Sequence, residues 1–142
     1  MKKSEEYKSY SSAETHQIAL LFGKRLQPNA IIAFTGDLGS GKTTFIQGLA
    51  EGASSIVPRE VSSPTFNYLN IYSGLTTIYH FDLYRLRSSK EFLLAGFEDY
   101  LQAGGICCIE WSERITSILP SNTTCIQISH LGENTRKIEI YE

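Results

Sequence analysis

Eight consecutive residues carry the clearest chemistry in this sequence: Gly36-Asp37-Leu38-Gly39-Ser40-Gly41-Lys42-Thr43. They satisfy G-x-x-x-x-G-K-[ST] in full, the pattern of a phosphate-binding P-loop. The glycines permit the positive φ angles of a tight anion nest. Small residues let backbone N–H groups close around phosphates, and the helix that follows turns its positive end to the same place. Lys42 supplies a cation to the β and γ phosphates, and the Thr43 hydroxyl a ligand for Mg²⁺. The bland alternative is a glycine-rich turn that ends in Lys-Thr by chance. It leaves unexplained why an apolar run precedes the loop and a helix-forming segment follows it. The expectation is a nucleoside triphosphate bound with Mg²⁺. No asparagine is followed by lysine, so the guanine-reading N-K-x-D is absent and ATP is favoured over GTP.

Hydrolysis of that ligand needs a carboxylate near the metal, usually at the end of a strand. Glu110 closes the apolar run Ile106-Cys107-Cys108-Ile109, and Asp82 closes Thr77-Ile78-Tyr79-His80-Phe81. Either acid could instead be a solvated charge at a strand end, the commoner fate of Asp and Glu. Trp111, the single tryptophan, could lie over the nucleotide or fill a groove. His80 could tune Asp82 or serve as a hydrogen-bonded structural histidine.

The elements that must hold these residues can be read from the pattern. Residues 1–10 are polar and charged, and are expected to be partly disordered. Ser11-Ser12-Ala13-Glu14 fits a capping box, and Ile18, Ala19, Leu21, Phe22 and Leu26 follow at helical spacing up to Pro28-Asn29. A buried strand is expected over 30–35 and a helix over 42–51, with irregular chain over 52–65. Two strands, 66–72 and 75–81, flank Ser73-Gly74 as a hairpin. Helical segments are expected after Ser88, over 97–103 and over 112–119, a strand over 105–110, and a closing strand pair over 123–129 and 136–141. No internal repeat or low-complexity segment interrupts this order. The fold class is therefore α/β, a P-loop NTPase-like mixed β-sheet flanked by helices, formed by one domain over 1–142.

The whole-chain properties bound the partners. The 142 residues carry a formal net charge of −2, with 42% hydrophobic and 20% charged residues. An acidic balance argues against a freestanding nucleic-acid binder but not against RNA reached through a partner. Cys107, Cys108 and Cys125 form neither a C-x-x-C nor an even set, which argues against a disulfide framework or a zinc site. Thiols in an apolar run behave as small hydrophobes, in keeping with a reducing, cytoplasmic compartment. The polar start MKKSEEYKSY does not resemble a signal peptide, and no segment approaches the length of a membrane span.

In order and wording these motifs resemble the TsaE (YjeE) family, the ATPase component of bacterial threonylcarbamoyladenosine synthesis in tRNA. The resemblance rests on the P-loop continued by Thr44-Phe45, on Ser63-Pro64-Thr65-Phe66, and on His80-Phe81-Asp82-Leu83-Tyr84-Arg85-Leu86. It extends through Gly96-Phe97-Glu98-Asp99-Tyr100-Leu101, Ile109-Glu110-Trp111-Ser112-Glu113-Arg114 and Leu119-Pro120. The His80–Leu86 run is the most specific part, because generic P-loop proteins lack it. Ser40 stands where the family often has alanine, an exchange of one small residue for another.

The resemblance implies that Gly39, Ser40, Gly41, Lys42, Thr43 and Thr44 bind ATP, and that Thr43 and Glu110 arrange Mg²⁺. It implies catalytic roles for Lys42, Asp82 and Glu110, with Asp82 in a switch-like segment and Ser63–Phe66 in another. Thr15 and Arg136 are implied near the base, and Trp111 beside the nucleotide. It further implies a partner, a TsaD–TsaB complex through which the chain meets tRNA, and ATP turnover that is slow until that complex docks. Two rivals remain at this level. A small-molecule kinase would need an acceptor pocket and usually an arginine-rich lid, and Arg85 and Arg87 are the only close arginine pair. A non-catalytic ATP-binding module would not need both acids.

Overall fold

Two near-continuous apolar runs, Ile31-Ile32-Ala33-Phe34 and Ile106-Cys107-Cys108-Ile109, form the middle of the sheet, and all eight residues are buried. Runs of this kind belong to parallel strands covered on both faces. The computed structural model describes residues 2–36 and 41–142. Its strands are β1 (Lys3–Ser9), β2 (Ile31–Gly36), β3 (Leu69–Tyr72), β4 (Ile78–Asp82), β5 (Ile106–Glu110), β6 (Thr124–His130) and β7 (Arg136–Tyr141). The helices are α1 (Ser12–Lys24), α2 (Lys42–Ser54) and α3 (Ser89–Leu94). Short 3-10 turns occupy Pro58–Glu60, Phe97–Gln102 and Ser112–Ile118.

The seven strands form one sheet in the order β1-β7-β6-β2-β5-β4-β3. Strands β6, β2, β5 and β4 run parallel, and antiparallel pairs close both edges. The expected mixed α/β sheet flanked by helices is what the structure shows. Helices α1 and α2 cover one face through Ala19, Phe22, Phe45, Ile46 and Leu49. Helix α3 and the 3-10 turns cover the other through Phe92, Leu101 and Ile115. The two helices lie against each other almost backbone to backbone. A Cβ on Gly48 would fall 2.4 Å from the His16 carbonyl oxygen, and one on Gly52 2.0 Å from that of Leu20. Glycine inside a helix costs roughly 1 kcal/mol against alanine, and here the close approach requires it.

Several expectations shift in position. The N-terminal segment expected to be partly disordered is edge strand β1, paired with β7 from Lys3 to Ser9. Its ladder is backbone hydrogen bonding, supported by Lys3 with Glu6 and Glu139, so the apolar alternation usually sought in a strand is missing. Strand β3 is shorter than expected because Tyr68 adopts φ 62°, a left-handed conformation that ends pairing before Leu69, and β4 starts only at Ile78, since the Leu75 and Thr76 N–H groups donate to Ser54 instead. The helical stretch after Glu110 is a 3-10 segment kinked at Ile115, where φ is −130°.

The Ser11 half of the expected capping box is present. Ser11 is extended, and its Oγ accepts the Glu14 N–H at 3.1 Å. Among the described residues no helix is long and apolar enough to cross a membrane.

Candidate functional site

Parallel strands deliver their carboxyl ends to one edge of the sheet, the usual location of a ligand crevice in such folds. Gly36, Asp82 and Glu110 are the last residues of β2, β4 and β5. Asp82 and Glu110 stand opposite each other in the β4–β5 register, and Glu110 also faces Phe34 of β2. Helix α2 begins beside them. Its N-cap, Gly41, has φ 105°, and among the described residues no side chain caps the helix. The first-turn N–H groups of α2 are directed at the crevice. A Cβ at Gly41 would meet no atom nearer than Arg136 Nε at 3.9 Å, so conformation rather than crowding calls for glycine there.

Two clefts meet at Gly41 and Thr44. The first, about 340 Å³, is lined by Gly41, Lys42, Thr43, Thr44, Ser63, Asp82, Glu110 and Trp111. Lys42 is buried to 6% exposure. Its ammonium lies 4.9 Å from the centre of the Trp111 ring, and among the described residues it has no carboxylate in ion-pair distance. A buried cation with no carboxylate at ion-pair distance among the described residues fits a site built to receive an anion. Thr43 Oγ1 lies 2.9 Å from Ser63 Oγ. A hydroxyl that donates to Ser63 keeps its lone pairs for a cation.

The two acids differ in environment. Glu110 is 4% exposed, and its carboxylate accepts a 2.7 Å hydrogen bond from His80 Nε2. Such a partner is what a buried carboxylate needs. His80 is the hydrogen-bonded histidine, the second of the two roles considered from sequence, and its carboxylate partner is Glu110. Asp82 is half-buried and accepts the Tyr84 N–H at 3.0 Å. Burial is the main cause that lifts its carboxyl above the ordinary range. The Glu110 charge pushes the same way, against the Tyr84 N–H and the nearby His80 and Lys42 side chains.

Trp111 follows Glu110 in a left-handed conformation, φ 59°, of order 1 kcal/mol above the ordinary regions for a non-glycine residue. That turn takes the chain off the sheet and lays the indole against Lys42 and Tyr84, the latter with ring centroids 4.9 Å apart. Trp111 thus fills space and lines the cleft at once.

The second cleft, about 160 Å³, is lined by Ser11, Ser12, Thr15, Gly41, Thr44, Asn134 and Arg136. Thr15 is 2% exposed, and its Oγ1 lies 2.6 Å from Ser9 Oγ, which itself donates to the Ser11 carbonyl. Strand β1 therefore positions this cleft. Arg136 opens β7, and its Nη1 donates to the carbonyls of Gly132, Glu133 and Thr135 at 3.2–3.3 Å. Of the residues singled out from sequence, the structure gathers Gly41, Lys42, Thr43, Thr44, Asp82, Glu110 and Trp111 around the first cleft. It gathers Thr15 and Arg136 around the second. Gly39 and Ser40 lie outside the described residues. Ser12 and Asn134 were not singled out, and Ser11 was read only as a cap; their one signal was position beside an element that carries a candidate.

Among the described residues no three His, Cys, Asp or Glu side chains converge as a metal cage. A divalent cation held here would thus take Thr43 and Glu110 as protein ligands and most of its oxygens from a bound ligand. That suits Mg²⁺, which keeps few protein ligands beside substrate phosphates.

The sequence matches a family model described as threonylcarbamoyl adenosine biosynthesis protein TsaE over residues 9–138. It is 36% identical over 132 residues to the tRNA threonylcarbamoyladenosine biosynthesis protein TsaE of Treponema pallidum, with 93% of this chain and 96% of that protein covered. It is 36% identical over 137 residues to the protein of the same name from Bacillus subtilis, covering 96% and 84%. The crystal structure of Bacillus subtilis YdiB superposes with a TM-score of 0.78 at 30% identity, over 99% of this chain and 86% of that one.

Proposed function

The chain belongs to the TsaE family of tRNA threonylcarbamoyladenosine biosynthesis proteins, and on that footing we propose that it is an ATP-binding and ATP-hydrolysing subunit acting on a TsaD–TsaB complex. The observation that carries the reading is the convergence of Lys42, Thr43, Asp82 and Glu110 on one cleft at the start of α2. A nucleotide whose phosphates lie along that helix start receives the α2 N–H groups and the Lys42 ammonium. Thr43 and Glu110 hold Mg²⁺, which neutralises phosphate charge when bound. Asp82 faces the same space and orients the attacking water. The second cleft, across Gly41 and Thr44, takes the base, with Thr15 and Arg136 in its wall.

Phosphoryl chemistry of this kind is mostly positioning and charge stabilisation. The first cleft is open, and Ser63 of one wall touches Thr43 by a single hydroxyl pair. Turnover is therefore slow for the chain alone and rises when the partner complex closes the cleft. tRNA is met through that complex, as expected for a chain of net charge −2. The place of work is the cytoplasm. Burial holds the Cys107 thiol up at about 12, which keeps it inert, and Cys108 is buried beside it.

The test is phosphate release from ATP by wild type and by Lys42→Ala, each with and without a TsaD–TsaB complex. We expect release that requires Mg²⁺ and Lys42 and accelerates with the complex. Equal rates with and without the complex would remove partner gating. Transfer of the phosphoryl group to a small acceptor would replace the reading with a kinase.

A further inference from the structure

A chain of hydrogen bonds runs through the sheet from one wall of the first cleft to the other. Glu110 Oε2 accepts from His80 Nε2 at 2.7 Å, and His80 Nδ1 lies 2.9 Å from the Tyr72 hydroxyl. That hydroxyl lies 2.8 Å from the Ser62 carbonyl oxygen and 3.2 Å from the Ser62 N–H, which donates to it. Asn70 Nδ2 also donates to the Ser62 carbonyl, at 3.0 Å. The next residue, Ser63, meets Thr43 at 2.9 Å. The ends of this chain, Glu110 and Thr43, are the two side chains assigned to the metal. Its middle, His80, is fully buried.

The proton count makes Tyr72 the joint. With Nε2 donating to Glu110, a neutral ring leaves Nδ1 as an acceptor. The Tyr72 hydroxyl has one proton and two acceptors in range, His80 Nδ1 and the Ser62 carbonyl. It cannot satisfy both fully at once. When it donates to His80, the Ser62 carbonyl depends on Asn70. When it donates to Ser62, the ring loses its second partner. We propose that His80 and Tyr72 are positioning residues that fix the Glu110 carboxylate and tie it to the Ser62–Ser63 segment, so that the two walls of the metal side move together. The inference rests on the ATPase reading for its consequence, but the link itself is a property of the protein without nucleotide.

Tyr72→Phe removes one oxygen and keeps the ring, whose centroid is 5.9 Å from that of His80. In the full chain, phosphate release is measured against Mg²⁺ and ATP for wild type, Tyr72→Phe, His80→Ala, His80→Gln and Lys42→Ala. Partners that orient a metal-ligating group typically matter by about 10-fold or more. We therefore expect Tyr72→Phe to lower kcat or raise the Mg²⁺ requirement by about that factor, with KM for ATP within about twofold of wild type. His80→Gln, whose amide N–H can still reach Glu110, recovers part of what His80→Ala loses.

A second measurement needs no nucleotide: amide hydrogen exchange over residues 61–70. Tyr72→Phe and Glu110→Ala should both speed exchange around Ser62–Phe66 by roughly threefold to tenfold, the factor for one lost hydrogen bond. Unchanged exchange in Glu110→Ala overturns the link, as does wild-type Mg²⁺ dependence and turnover in Tyr72→Phe. Wild-type phosphate release no faster than that of Lys42→Ala sinks the ATPase reading instead, and the exchange result then decides the link by itself.

Discussion

The two clefts that meet at Gly41 and Thr44 are built from different material. The larger takes its acids from the last residues of β4 and β5, which the sheet register holds side by side. The smaller takes its wall from a helix cap, a buried threonine and the turn between β6 and β7. Its one guanidinium already donates to three turn carbonyls. Two carboxylates and an ammonium stand on one side of the α2 N-terminus, and hydroxyls, an amide and a single guanidinium on the other. Chemistry that develops charge needs fixed charges around it, whereas recognition of a neutral base needs donors and acceptors at fixed positions. On the proposed ATPase reading, the difference would put hydrolysis at the first cleft and nucleotide choice at the second.

The sharpest way to break that division is Lys42→Ala. It removes the cation proposed to face the phosphates, and we expect phosphate release to fall about 10²–10³-fold, as for loss of one charge-stabilising donor. Lost nucleotide affinity with turnover unchanged at saturating ATP would mean that Lys42 serves binding alone. The acids come next. Asp82→Asn and Glu110→Ala should each lower turnover by about 10²-fold, but their effects on stability differ in sign. Glu110→Ala strands a buried His80 donor, at a cost of about 1–3 kcal/mol.

Asp82 behaves oppositely, because its folded-state carboxyl sits above the ordinary 3.8. Ionisation above that raised value works against the fold, and the penalty disappears below 3.8, where both states are protonated. Asp82→Asn should therefore raise the melting temperature at neutral pH and leave it unchanged near pH 3. Equal losses in melting temperature for the two variants would show that the acids share one environment.

How much of this was readable in advance depends on whether the information is local. Residues 36–43 are contiguous, so their chemistry can be read without the fold. Glu110 and Asp82 were legible because each closes an apolar run, and the strand end is where a parallel sheet presents side chains. The His80–Glu110 pair was not, because the two residues are 30 apart and meet only through the β4–β5 register. Strand β1 was invisible for a related reason. Lys3-Ser4-Glu5-Glu6-Tyr7-Lys8 has no apolar alternation, and its partner β7 lies at the other end of the chain. That missed strand carries Ser9, and with it the position of Thr15. The motif reading thus named residues of both clefts but missed the strand that positions the second.

The middle of the range belongs to Trp111, which touches both the Lys42 ammonium and Tyr84. A cation over an indole contributes about 0.5–2 kcal/mol according to exposure. Trp111→Leu should therefore weaken nucleotide binding several-fold if the indole keeps Lys42 poised. Unchanged affinity, measured by a ligand-side fluorophore because the variant lacks tryptophan, would leave Trp111 as packing.

The smallest expected effect is the most informative about the second cleft. Ser9 Oγ donates to the Ser11 carbonyl, so its contact with Thr15 must use the Thr15 proton. Thr15 Oγ1 is thereby left with lone pairs only, an acceptor in the wall of the cleft. An adenine amino group can donate to such an atom, and the guanine carbonyl at the equivalent position cannot. Ser9→Ala releases the Thr15 proton and lets Oγ1 donate as well as accept. The preference for ATP over GTP should then shrink by roughly twofold to tenfold, the range for one net hydrogen bond, while turnover at saturating ATP stays unchanged. Thr15→Val should weaken ATP by a similar factor without improving GTP. Competition binding with both nucleotides separates these outcomes. If neither variant alters the ATP-to-GTP ratio, the base does not occupy this cleft, and the division of labour across Gly41 fails on its recognition side while the charged side stands.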